Sequence, residues 1–145
     1  MLKPVRHPFP VYYCRHGQTD WNRVDRLQGH WDIPLNSHGE AQARAYGRAL
    51  KEMDVDWTEV TFYSSPLVRA QKTMALLLNE LGPPMRNWRV DDRLIELHLG
   101  DWNGMAIRDV EKEYATEWAA RKESPWLAPV PGGESYGEAE PRLRE

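Results

Sequence analysis

The alternation of apolar and polar positions divides the chain into short β-like runs and longer helical ones. Val11-Tyr12-Tyr13-Cys14 is a brief apolar run rich in β-formers and reads as a buried strand. It leads directly into Arg15-His16-Gly17, and the polar stretch beyond, with Gly29 and Pro34, reads as a loop. Ser37 and Glu40 have capping-box spacing, and Ala41, Ala45, Ala49 and Met53 follow at helical intervals. Residues 60–63 predict a second strand. Ser65 then offers an N-cap and Pro66 a first helical position. The helix they introduce carries Leu67, Ala70, Met74, Leu77 and Leu81 on one face and ends at Gly82-Pro83. Residues 88–90 form a weaker strand candidate, 107–121 a helix, and 125–133, with three prolines and two glycines, a loop. Ser135 is placed to cap one more helix, although Pro141 sits badly inside it.

Strands alternating with helices predict an α/β fold: a mostly parallel open sheet flanked by helices, as a single domain over residues 1–145. In such sheets ligands bind beyond the carboxyl ends of the strands. Arg15-His16 and Ser64-Ser65-Pro66 both follow predicted strands, so they are expected to share one mouth of the sheet.

Composition narrows the function classes. A hydrophobic share of 41% and a charged share of 28% describe a globular chain. A formal net charge of -3 gives no global attraction to nucleic acid or to an anionic membrane, so any anion-binding cations must be local. No apolar run is long enough to span a bilayer. The first ten residues hold Lys3 and Arg6 but no apolar segment after them, which predicts no secretion signal and a cytoplasmic location. The single cysteine, Cys14, excludes an intramolecular disulfide and is expected to be a buried thiol. Trp57, Trp88 and Trp118 are read as packing residues.

Three segments carry chemistry. A histidine just after a strand can be held with one ring nitrogen aimed at a cleft. Arg15 beside His16 offers bidentate donors for phosphate oxygens, and Gly17 permits close backbone approach. In Ser64-Ser65-Pro66-Leu67-Val68-Arg69, the start of a helix favours anions, whereas Arg69 there opposes the helix dipole unless an anion joins it. Glu96 lies between Ile95 and Leu97, and a carboxyl in partly apolar surroundings is suited to general acid work.

Together these segments resemble the histidine phosphatase superfamily, the phosphoglycerate mutase-like family. Its signature reads here as Arg15-His16-Gly17-Gln18-Thr19-Asp20-Trp21-Asn22. The Ser-Ser-Pro-x-x-Arg-Ala-x-x-Thr segment is matched from Ser64 to Thr73, Glu-x-x-x-Gly-x-Trp-x-Gly from Glu96 to Gly104, and Pro-Gly-Gly-Glu-Ser from Pro131 to Ser135. The resemblance implies that His16 attacks phosphorus and that Arg15 and Arg69 hold the phosphoryl oxygens. Asn22 would bind the phosphoryl group or support His16, Gln28 and Gly29 would line the substrate entrance, and Glu96 would protonate the leaving group. It implies no metal and no cofactor, and a small phosphorylated metabolite as substrate.

The family also carries a second catalytic histidine late in the chain. None of His7, His30, His38 and His98 fits that place; His38 belongs to the start of a helix. The expectation is a C-terminally shortened or replaced chain, in which the 11–14 strand presents an unpaired edge. A homodimer along that edge, or a longer natural protein, would follow. The leading activity is phosphomonoester hydrolysis. A phosphoglycerate mutase is the alternative within the family, yet mutases carry an arginine after the catalytic glutamate and an arginine pair beyond it. Here Leu97 follows Glu96, and only Arg121-Lys122 is available, displaced. A catalytically weakened phosphate- or phosphopeptide-binding module is the reading outside enzymes.

Overall fold

The computed structural model describes residues 9–83 and 87–144, so the expectation about a leader near Lys3 and Arg6 lies outside the described residues. In chain order the elements are α1 (Asp20–Arg23), α2 (Ser37–Lys51), β1 (Tyr63–Ser64), α3 (Val68–Leu81), β2 (Arg89–Val90), α4 (Ile107–Glu113), α5 (Ala115–Glu123) and α6 (Tyr136–Arg144). β1 and β2 pair in parallel, Tyr63 opposite Arg89 and Ser64 opposite Val90, with α3 as the crossover between them. The fold is α/β, a small parallel sheet flanked by helices. Among the described residues no helix is long and apolar enough to cross a membrane.

The run 11–14 is not a buried strand. It pairs with no strand among the described residues; Val11 is 66% exposed, Tyr13 90% exposed, and Cys14 is exposed as well. β-propensity selects residues suited to a pleated, half-covered surface but does not supply the neighbouring strand. The strand expected at 60–63 narrows to Tyr63–Ser64, because residues Trp57–Glu59 form a 3-10 turn capped by Asp56 just before it.

α2 begins one residue earlier than a Ser37 cap would place it: Asn36 is the N-cap, its side chain accepting from the Gly39 amide at 2.9 Å. The buried face is also not the expected one. Ala41, Ala45, Ala49 and Met53 are exposed, while Gly39, Ala43 and Gly47 are buried. This small-residue stripe lets backbone meet backbone. A Cβ on Gly47 would stand 2.3 Å from the Leu77 carbonyl oxygen of α3, and one on Gly39 would stand 2.1 Å from the Gln18 carbonyl oxygen.

α3 starts at Val68 rather than at Pro66. Its first free amide, Val68 N–H, donates to the Asp32 carboxylate at 2.6 Å, so the cap comes from a distant loop instead of Ser65. Leu76, Leu77 and Leu78 are buried on α3, each contributing on the order of 2 kcal/mol. The helix stops at Gly82, whose φ is +90.

Residues 107–121 do not form one helix. The chain breaks at Tyr114, φ -123, and α5 then runs on to Glu123. The break lets Tyr114 lie against Trp102, ring centroids 6.2 Å apart, while Trp118 meets the same indole at 5.5 Å. Trp102, Val110 and Val130 are the centre of this second core. Ser135 caps α6 as expected: its hydroxyl accepts from the Glu138 amide at 3.2 Å, and the Glu138 carboxylate accepts from the Ser135 amide at 2.7 Å. Pro141 is accommodated inside α6.

Replacing Gly47 with alanine tests the close α2–α3 contact. In an exposed helix that change stabilises by about 1 kcal/mol. Here the methyl meets a fixed carbonyl, so we expect a loss of roughly 1–3 kcal/mol, read as a lower denaturant midpoint. An unchanged or raised midpoint would show that the two helices do not touch at this glycine.

Candidate active site

The loop that carries His16 has no regular secondary structure, so its amides need partners from elsewhere. The Gly17 amide donates to the Thr73 hydroxyl at 3.0 Å, the Gln18 amide to Gln42 at 2.9 Å and the Thr19 amide to Asn22 at 3.0 Å. The Asn36 amide donates to the Gln18 carbonyl at 3.0 Å. The loop is thus fixed to both α2 and α3. Gly17 is required by space: a Cβ there would lie 2.3 Å from the Gly39 carbonyl oxygen.

His16 is half-buried, with Nδ1 2.7 Å from the Gly17 carbonyl oxygen. A carbonyl only accepts, so Nδ1 carries the proton and Nε2 keeps its lone pair. Burial lowers the His16 pKa from 6.5, and the charges of Arg69 and Arg15 push the same way; the Gly17 bond and the Glu96 charge oppose them. The ring is therefore neutral at neutral pH. Hydrogen bonds connect the three segments: the Gly17 amide bonds Thr73 on the helix of Arg69, and residues 29–31 bond both Arg69 and the Glu96 carbonyl.

Arg69 is only 2% exposed. Its Nη1 donates to the Trp31 carbonyl at 2.8 Å and its Nη2 to the Gly29 carbonyl at 2.9 Å, while the buried Nε meets no acceptor among the described residues. Burial lowers its pKa, and the charges of Glu96 and Asp32 raise it. The anion expected at the start of α3 has a protein counterpart, since Asp32 occupies the helix amide. Arg15, by contrast, is exposed.

Glu96 is not enclosed by its apolar neighbours. It is exposed, while Leu97 is 7% exposed and turned inward. In extended chain successive side chains point to opposite sides, so apolar neighbours in sequence do not surround the residue between them. Its Oε1 accepts from the Leu97 amide at 2.9 Å.

Asn22 and Gln28 are engaged locally. Asn22 completes a capping box with Thr19 at the start of α1, and Gln28, 7% exposed, accepts from the Thr19 hydroxyl at 2.9 Å. Gly29 contributes its carbonyl to Arg69, and its φ of +49 together with a 2.2 Å approach of Asn103 Oδ1 to any Cβ calls for glycine. Gln28 and Gly29 are both buried, and Gly29 bonds Arg69 directly.

Sequence reasoning missed three supports. Thr73 both accepts from Gly17 and donates to the Arg69 carbonyl at 2.7 Å. Its position four residues after Arg69, on the same helix face, is a signal that could have found it. Asp32 and His30 gave none, since their partners lie far away in the chain. Among the described residues no three His, Cys, Asp or Glu side chains converge as a metal site would require.

The electrostatics of His16 predict opposite shifts from two substitutions, each read by NMR titration of the ring. Arg15→Ala removes a cation and should raise the His16 pKa; Glu96→Gln removes an anion and should lower it. Shifts of the same sign would overturn this arrangement. Because the folded value lies below 6.5, the unfolded chain binds more protons in the interval between the two. The resulting penalty on folding is absent above 6.5 and builds as the pH falls toward the folded value.

Comparison with known proteins identifies the family of the chain. The family model described as Histidine phosphatase superfamily (branch 1) matches residues 11–145. The 2,3-bisphosphoglycerate-dependent phosphoglycerate mutase of Methylobacterium sp. (strain 4-46) is 36% identical over 130 residues, which are 90% of this chain and 62% of the mutase. Phosphoserine phosphatase 1 of Hydrogenobacter thermophilus is 33% identical over 132 residues, 90% of this chain and 58% of that protein. A mycobacterial glucosyl-3-phosphoglycerate phosphatase, solved in complex with VO3, superposes with a TM-score of 0.75 at 35% identity, covering 89% of this chain and 60% of that one. This chain therefore spans about 60% of the length of these relatives. A match over nearly the whole of this sequence makes it a member of the histidine phosphatase superfamily (branch 1).

Proposed function

We propose that the site hydrolyses phosphomonoesters of small anionic metabolites through a phosphohistidine on His16. The observation that carries this reading is the His16 ring: Nδ1 is bound to the Gly17 carbonyl, and burial keeps the ring neutral, which leaves Nε2 as a nucleophile. In the first step Nε2 attacks phosphorus, the N–P bond forms and the P–O ester bond breaks. Glu96, an anion in the free site, takes up a proton in the substrate complex and gives it to the departing alkoxide. Arg15 and Arg69, whose buried Nε has no hydrogen-bond acceptor among the described residues, bind the phosphoryl oxygens, whose charge is stabilised in the transition state. Asn22 offers its Nδ2 to the same oxygens, and Gln28 and Gly29 hold the loop that orients Arg69. In the second step the Glu96 carboxylate takes a proton from water, the water oxygen attacks phosphorus, and the N–P bond breaks to release phosphate. The arginines do the charge neutralisation, so the reaction needs no metal and no cofactor.

A mutase is the second reading, favoured by the 36% identity to a phosphoglycerate mutase. Against it, the residue after Glu96 is the inward-turned Leu97, which offers no cation to a second acidic group. Phosphoryl transfer between 2- and 3-phosphoglycerate, measured against release of inorganic phosphate, decides between the two.

Two outcomes test the mechanism. His16→Ala should abolish hydrolysis of p-nitrophenyl phosphate, while a strong chelator leaves the unaltered protein's rate unchanged; chelator loss restored by magnesium would refute the metal-free reading. Glu96→Gln should cost about 100-fold or more on an alkyl phosphate, whose leaving group needs a proton, and much less on p-nitrophenyl phosphate. Equal losses on the two substrates would remove Glu96 from the role of acid.

A further inference from the structure

We infer that His30 is a positioning residue for Glu96, acting through the peptide that joins Glu96 to Leu97; this rests on the reading of Glu96 as general acid. Glu96 lies in a stretch with no helix or strand, so its backbone is held by side chains. Arg142 donates to the Ile95 carbonyl at 2.9 Å, and the His98 amide donates to Glu134 at 2.8 Å. Between those two anchors stands the Glu96 carbonyl, and its partner is His30 Nε2 at 2.6 Å. A carbonyl only accepts, so Nε2 carries the proton.

The same peptide has a second bond on its other end. Its N–H, that of Leu97, donates to the Glu96 carboxylate itself at 2.9 Å. A peptide unit is rigid and planar, so fixing its C=O direction fixes its N–H direction. His30 therefore sets where the Leu97 N–H points, and that N–H sets where the Glu96 carboxylate rests. The His30 ring is itself held, lying edge-on to His98 with centroids 5.1 Å apart, and His98 Nδ1 accepts from the Gly100 amide at 3.2 Å. The neighbours of His30 in sequence, Gly29 and Trp31, give their carbonyls to Arg69. One short loop thus aims both the oxygen-binding arginine and the acid, at the two ends of the bond to be broken.

The test uses His30→Ala and His30→Gln in the full chain, with β-glycerol phosphate and p-nitrophenyl phosphate as substrates. Gln can place a donor near the position of Nε2. We expect His30→Ala to lower kcat on β-glycerol phosphate about 10-fold or more, with KM little changed and a much smaller loss on p-nitrophenyl phosphate. His30→Gln should recover most of the loss. In His30→Ala the Leu97 amide should also exchange with solvent about 10-fold faster. Equal losses on the two substrates, no recovery with Gln, or unchanged Leu97 exchange would each overturn the inference. Glu96→Gln, run alongside, separates the two ideas. If it shows no leaving-group dependence, the acid role fails, and Leu97 exchange in His30→Ala still decides whether His30 holds the peptide.

Discussion

A guanidinium withdrawn from water must find acceptors, because a buried charge without partners costs several kcal/mol. Arg69 is in that position, and its needs organise the site. Its two Nη groups take the carbonyls of Gly29 and Trp31, which pulls the loop at 28–32 against the start of α3. That loop then returns a carboxylate, Asp32, to the Val68 amide at the open end of the same helix. One turn further on, Thr73 ties the helix to Gly17. Arg69 and His16, the proposed oxygen-binding residue and the proposed nucleophile, therefore share one helix as their frame. Glu96 and Asp32 supply negative charge that favours the buried cation, so protein carboxylates help to balance Arg69.

How far the sequence discloses this depends on what the packing selects. The presence of α3 is legible because large apolar residues recur along it and a glycine ends it, although of the expected face only Leu67 and Leu77 are buried, and Ala70, Met74 and Leu81 are half-buried. The buried face of α2 is not legible. Hydrophobic periodicity weighs side-chain size, and the Gly39, Ala43, Gly47 stripe is selected for having almost none. The break at Tyr114 was hidden for a related reason: the apolar spacing continues through it, and only the fit of Tyr114 on Trp102 requires the turn. His16 and the Ser64–Arg69 segment are grouped by the sequence because each follows a β-like run and ligands gather beyond strand ends, whereas Glu96 joins them only through the family resemblance of its segment. The environment of Glu96 is not legible, since flanking isoleucine and leucine say nothing of which way the carboxyl points.

Residues 11–14 show the same limit at the level of the sheet. Val11 and Tyr13 have the composition of a strand, yet both are exposed and the run is unpaired among the described residues. Strand formation is a property of two segments, and propensity reports on one of them. The two-residue pairing of β1 with β2 would be marginal alone. It persists because α3 spans from one strand to the other and buries Leu76, Leu77 and Leu78.

The site itself is made almost entirely of coil, and that has a consequence for how it is held. A helix or strand uses its amides and carbonyls on itself; a coil leaves them to be aimed. In the His16 loop they are taken by Thr73, Gln42 and Asn22, in the 28–32 loop by Arg69, and along the Glu96 segment by Arg142, His30 and Glu134. All of these bonds but the one to Asn22 join segments distant in the chain, so the geometry of the site is held by side chains that need not touch a substrate. Displacements of about 1 Å at a reacting centre can cost two orders of magnitude in rate. The supporting side chains are thus as much a condition of the chemistry as the imidazole, although neither their type nor their local spacing would single most of them out.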